Sequence, residues 1–149
     1  MIPVSKKSQV EAFLEQPEKL DAIIKNKLIE RKQWMNIALG ITANMDGDRV
    51  SSTGSKSKMS DAVNRCVDME AEIDAAVDAL VEKKKQVTAA IEQLENPQEY
   101  DLMHLRYIQG IDLLEIANRW GREYTTVTTC HGRAKKNLEV ILEREGLIK

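Results

Sequence analysis

The chain is poor in helix breakers and in aromatic rings. Its 149 residues include three prolines and seven glycines, and aromatics are 4% of the total. Ala, Leu, Ile, Glu and Lys dominate instead, which points to an all-α fold with an aliphatic core. The two cysteines, Cys66 and Cys130, form no spacing pattern. Cys130 is followed by His131, but no second Cys/His pair completes a ligand set, so neither a metal nor a cofactor is expected. There is no glycine-rich phosphate loop and no nucleophile–base pattern, so catalysis is not expected. No apolar run approaches the roughly 18 residues of a membrane span, and the first residues lack an apolar signal core. A cytoplasmic protein that does not enter membranes is the expectation. Charge of one sign is also lacking: 22 Lys and Arg stand against 24 Asp and Glu, a net −2. Residues 97–149 hold eight of each, so any positive field must be local.

What is present is helical periodicity. Residues 5–16 predict a short helix with Val10, Phe13 and Leu14 on one side. Pro17 is expected to end it and to open a second helix reaching about residue 43. That helix places Leu20, Ile24, Leu28, Met35 and Ala38 on one stripe, with Ile23, Trp34 and Ile41 beside it. Residues 46–58 (DGDRVSSTGSKSK) read as a loop, more simply a solvated connector than a phosphate contact through Arg49, Lys56 and Lys58. Residues 59–95 then predict the longest helix, roughly 55 Å at 1.5 Å per residue. Its seam is Val63, Cys66, Glu70, Ile73, Val77, Leu80, Lys84, Val87, Ile91 and Leu94. Glu70 and Lys84 interrupt it symmetrically about Val77, and read more simply as side chains snorkelling at its edge than as Glu70 of one copy facing Lys84 of another in an antiparallel crossing. A helix this long with one apolar stripe must pack on something. The expected arrangement is an antiparallel hairpin over residues 1–96, with seam left over for self-association.

Asn96 and Pro97 end the long helix, because the residue before proline disfavours the α conformation. Three short helices follow. The first covers 98–109, with Leu102, Met103, Leu105, Tyr107 and Ile108 apolar, and Gly110 in a left-handed closing position. Asp112 with Glu115 three residues on forms a capping-box pattern before a second helix at 113–120. Gly121 makes a tight turn into a third helix running from about 123 to 145. Its inward face is Val127, Cys130, Ala134, Leu138 and Ile141, with Trp120 capping the junction. Its outward face is Thr125, Thr129, Gly132 and Lys136, flanked by Thr128 and Arg133. Two short helices around a glycine turn, the second with basic residues, match the helix-turn-helix pattern. Four threonines at 125, 126, 128 and 129 are poor helix formers. Their hydroxyls and methyls suit base edges. Between Arg122 and Lys136 four basic residues (Arg122, Arg133, Lys135, Lys136) face one acidic residue, Glu123, a local +3.

Residues 105–142 resemble region 4 of sigma-70-type factors. More closely still, the chain resembles short phage and prophage regulators related to the ArpU and RinA groups, through the GDRV loop at 47–50, the long acidic-apolar helix and HGRA at 131–134. The resemblance implies a phage-type transcription regulator in the cytoplasm of a bacterial host, binding double-stranded DNA with residues 123–138 in the major groove. Tyr124, Thr125, Thr128 and Thr129 would read bases; Arg122, Arg133, Lys135 and Lys136 would hold phosphates. Sigma factors carry Arg, Glu and Gln where this chain has threonines, so its target should differ from the promoter −35 element. RNA polymerase is an expected further partner. Two alternatives are a small-terminase-like DNA-packaging protein and an adaptor that docks on polymerase or a sigma factor without touching DNA.

Overall fold

The computed structural model describes residues 5–40 and 52–149. Among them the chain is all helical: α1 (Lys6–Ala38), α2 (Ser52–Ile91), α3 (Pro97–Met103), a π-helical turn (His104–Ile108), α4 (Leu113–Trp120) and α5 (Tyr124–Arg144). No helix among the described residues is long and apolar enough to cross a membrane. The helices form two compact units, residues 20–79 and residues 1–19 with 80–149.

Three expectations need correction. The break at Pro17 does not occur, and α1 runs through it. An interior proline removes one N–H and costs about 3 kcal/mol. Burial of Val10, Phe13 and Leu14 just before it offsets that, at about 1.5–3 kcal/mol each. The loop expected at 46–58 is helical from Ser52 onward, and its earlier part lies outside the described residues. The long seam is also buried only in part: Cys66, Val87, Ile91 and Leu94 are buried as expected, but elsewhere burial shifts to a neighbouring line. Val63 and Val77 are exposed, at 49% and 39%, while Ala62, Cys66, Met69, Val87, Ala90, Ile91 and Leu94 are buried. Both lines step by three and four, so periodicity alone does not separate them. Where the two lines part, Ala62 is buried in place of Val63 and Met69 in place of Glu70.

In the unit of residues 20–79 the two helix segments run antiparallel. Lys27 pairs with Glu72 at 3.8 Å, Glu30 with Arg65 at 3.5 Å, and Arg31 with Glu70. Glu70 is therefore half of an ion pair rather than a gap in the seam. Ile24 is buried, and Cys66 Sγ lies 3.8 Å from the Arg31 carbonyl. Leu28, on the expected stripe, is 49% exposed.

In the other unit, the start of α1 and the end of α2 join the short helices. One cluster holds Val10, Phe13 and Leu14 of α1, Val87, Ala90 and Ile91 of α2, and Ala134, Leu138, Ile141 and Leu142 of α5, with Met103 and Tyr107 from between. The cluster crosses position 97, where the sequence breaks its helix. The break itself is local: the Asn96 side chain accepts from the backbone N–H of Gln98 at 2.9 Å and caps α3. Gly146 turns the chain left-handed after α5 and sends Ile148 back into the same cluster.

This cluster gathers most of the buried apolar side chains of the unit. Replacing Leu138, fully buried in it, by alanine should cost about 2–5 kcal/mol. Val63→Ala, at an exposed site, should stay within about 0.5 kcal/mol. Urea unfolding midpoints of the two variants measure the difference; equal midpoints would contradict the burial described.

Candidate nucleic-acid interface

α3, the π turn, α4 and α5 surround a second, smaller cluster: Leu102, Ile116, Ala117, Val127 and Cys130, with Leu105, Ile111, Leu113 and Trp120 partly buried against it. The first short helix is thus not α-helical throughout. It widens to a π turn at His104–Ile108, which sends Leu102 and Leu105 to this cluster and Met103, Tyr107 and Ile108 to the larger one. Asp112 caps α4, its Oδ1 accepting from the Glu115 N–H at 2.8 Å. Only half of the capping box forms, because the Glu115 carboxylate pairs with Arg119 at 3.2 Å. Gly121 adopts φ 63°, and the N–H groups of Arg122 and Gly121 reach the carbonyls of Ala117 and Asn118. This Schellman closure needs a left-handed residue, which glycine supplies without a Cβ penalty.

α5 is two-faced. Val127, Cys130, Ala134, Leu138 and Ile141 are buried, as are Leu142 and, on other elements, the residues they meet. Tyr124, Thr125, Thr129, Arg133 and Lys136 are exposed and Thr128 is half-buried. Tyr124 lines a shallow cleft with Arg106, Asp112, Leu113 and Leu114. Two of the threonine hydroxyls are not free donors. Thr128 and Thr129 both donate to the Thr125 carbonyl, at 3.0 and 2.8 Å, which reconciles them with a helix. Their lone pairs and methyls remain to face a partner.

The four basic residues separate into two kinds. Arg122, Arg133 and Lys136 are exposed and have no ion-pair partner among the described residues. Lys135 is turned toward α1, where it pairs with Glu11 at 3.1 Å. Its placement is that of a brace between helices, and the sequence offered no sign of it because Glu11 lies 124 positions away. Sequence reading also missed Lys7. It lines a groove of about 450 Å³ between α1 and α5, together with Val10, Gly132, Arg133, Lys136 and Glu139. Gly132 has ordinary helical φ, and a Cβ built there meets nothing within 4 Å. Nothing among the described residues therefore requires the glycine, which costs about 1 kcal/mol against alanine in a helix.

His131 faces inward. Its ring stacks on Tyr107 with centroids 5.7 Å apart, and its Nε2 lies 2.7 Å from the Tyr107 hydroxyl. Burial, helped by the charges of Lys135 and Arg106, pushes His131 down to about 4. Burial pushes Tyr107 up to about 12. Both are neutral near pH 7, and the phenol and Nε2 share one hydrogen bond whose direction follows the imidazole tautomer. Behind it, Arg106 lies 5.1 Å from the Tyr107 ring centre and pairs with Glu18 at 2.8 Å. This is a packed polar contact, not a ligand set: no group of three His, Cys, Asp or Glu able to hold a metal occurs among the described residues. Cys66 and Cys130 are buried and unpaired.

The family model described as "Protein of unknown function (DUF1492)" matches residues 41–139. The chain belongs to this family. No curated protein and no solved structure matches it. The DUF1492 segment takes in α2, α3, α4 and α5 as far as Glu139, and so both clusters' contributions from those helices; α1 lies before it.

The His131 environment gives this DUF1492 protein an acid-sensitive component of stability. The folded pKa of about 4 lies below the ordinary 6.5, so the unfolded chain takes up the proton first as pH falls. That component is full above pH 6.5 and is lost progressively down to about 4. Glu11, Lys135, Arg106 and Tyr107 face the ring and are kept in a His131→Gln variant, so their own titration cancels in the comparison. The stability advantage of the parent over this variant should shrink between those pH values; an advantage independent of pH would show that the ring is not desolvated.

Proposed function

We propose that this chain binds double-stranded DNA as a phage-type transcription regulator, with α5 as the helix that lies in the major groove. The observation that carries the reading is the two-faced α5 after a Schellman glycine turn. One face is locked into two apolar clusters, and the other presents Tyr124, Thr125, Thr129, Arg133 and Lys136 to solvent. A helix held this rigidly and exposed along one side fits the geometry of a recognition helix. Arg122, Arg133 and Lys136 would contact phosphates, and Tyr124, Thr125, Thr128 and Thr129 the bases. Because the Thr128 and Thr129 hydrogens already go to the Thr125 carbonyl, these side chains suit the amino groups of adenine or cytosine and the thymine methyl. Lys135, braced by Glu11, has the weaker claim to a phosphate.

The reading is of a binding protein without catalytic activity or cofactor, acting in the bacterial cytoplasm. In residues 20–79, Leu28, Ile29 and Val67 are exposed apolar side chains. They favour a role for this unit in self-association or in docking on RNA polymerase.

Selection of bound DNA from a random pool at fixed salt, followed by titrations of variants over a salt series, tests the proposal. Lys136→Ala should weaken binding to all sequences and lower the salt slope by about one. Thr129→Ala should alter the selected sequence with little change in that slope. If neither variant alters binding, α5 is not the contact helix.

A further inference from the structure

We infer that the groove between α1 and α5 seats the sugar–phosphate backbone of one DNA strand, which makes the first turns of α1 part of the interface. The inference rests on α5 being the DNA-contacting helix and adds a second element to it. Two independent features point to this occupant. The first is charge. Lys7 of α1 stands on one bank, and Arg133 and Lys136 of α5 on the other, while the carboxylate nearest in sequence on α1, Glu11, is already taken by Lys135. Glu139 is the last α5 residue along the groove and marks its acidic limit. The second feature is Gly132, which lines the groove although the chain's own packing has room for a side chain there. A glycine that packing among the described residues does not require, flanked by cations, fits a polyanionic chain passing close to the helix backbone. Thr129, one turn earlier, lines the same groove, so a strand held there would have its bases beside the exposed threonines.

The experiment compares the wild-type chain with Gly132→Ala, Lys7→Glu and Lys19→Glu on DNA selected by the wild type. Lys19 is an exposed lysine of the same helix beside Glu15 and Gln16, away from this groove, and controls for net charge. Gly132→Ala should melt at or above the wild-type temperature, because alanine favours the helix and meets no clash, yet bind about tenfold more weakly through the lost close approach. Lys7→Glu should weaken binding and lower the salt slope by about one, with Lys19→Glu near wild type. Wild-type affinity in both Gly132→Ala and Lys7→Glu would overturn the inference while leaving DNA binding by α5 intact. A wild-type chain that selects no DNA would overturn both.

Discussion

The contact on which the rest depends is aliphatic and long-range: Leu14 of α1, Ile91 of α2, and Leu138 and Leu142 of α5, all fully buried against one another's neighbourhood. With so few aromatic rings, no single side chain supplies a large share of the burial. Stability has to come from many medium-sized residues meeting at once, each contributing about 1.5–3 kcal/mol. α5 reaches both clusters along its length, its earlier residues Val127 and Cys130 in the smaller and Ala134, Leu138, Ile141 and Leu142 in the larger. Its orientation is therefore fixed at both ends, and its outer face is what remains.

The polar contacts around this core fix register more than they add strength. Lys6 with Glu143 at 2.7 Å, Arg106 with Glu18 and Lys135 with Glu11 all tie α1 to the later helices. Ion pairs at a partly solvated surface contribute roughly 0–1 kcal/mol each. Glu99 is different: it is 4% exposed and accepts from Asn137 at 2.6 Å, joining the first turn of α3 to α5. A buried carboxylate without that donor would be costly, so this pair helps specify how α3 lies on α5.

Local signals were legible in the sequence, and long-range ones were not. The inward face of α5 is buried residue for residue as its steps of three and four require, and α4 has the expected bounds because Asp112 and Gly121 are strong local punctuation. Pro17 misled because its cost is local and the compensation, Leu14 and Phe13 in the cluster, comes from far along the chain. The α2 seam was right at Cys66, Val87, Ile91 and Leu94 and misled at Val63, because two adjacent stripes share the same period and hydrophobicity favoured that valine over the buried Ala62. In the candidate interface, the exposed Arg133 and Lys136 could be placed from helix phase alone. The fate of Lys135 and the presence of Lys7 depend on α1 lying beside α5, which no local pattern encodes.

That same adjacency governs how the chain reaches its fold. The backbone N–H of Lys149 meets the Gln9 side chain at 2.8 Å across 140 positions, and Lys6 meets Glu143 across 137. Helical proteins usually fold through near-neighbour contacts, but here the chief cluster closes a loop almost as long as the chain. During synthesis, Val10, Phe13 and Leu14 emerge long before Leu138 and Leu142. At about 5–20 residues per second that interval is on the order of ten seconds. Throughout it, three apolar side chains of a nascent helix have no α5 to cover them, which gives a ribosome-bound chain of this protein a defined window for chaperone capture or misassociation.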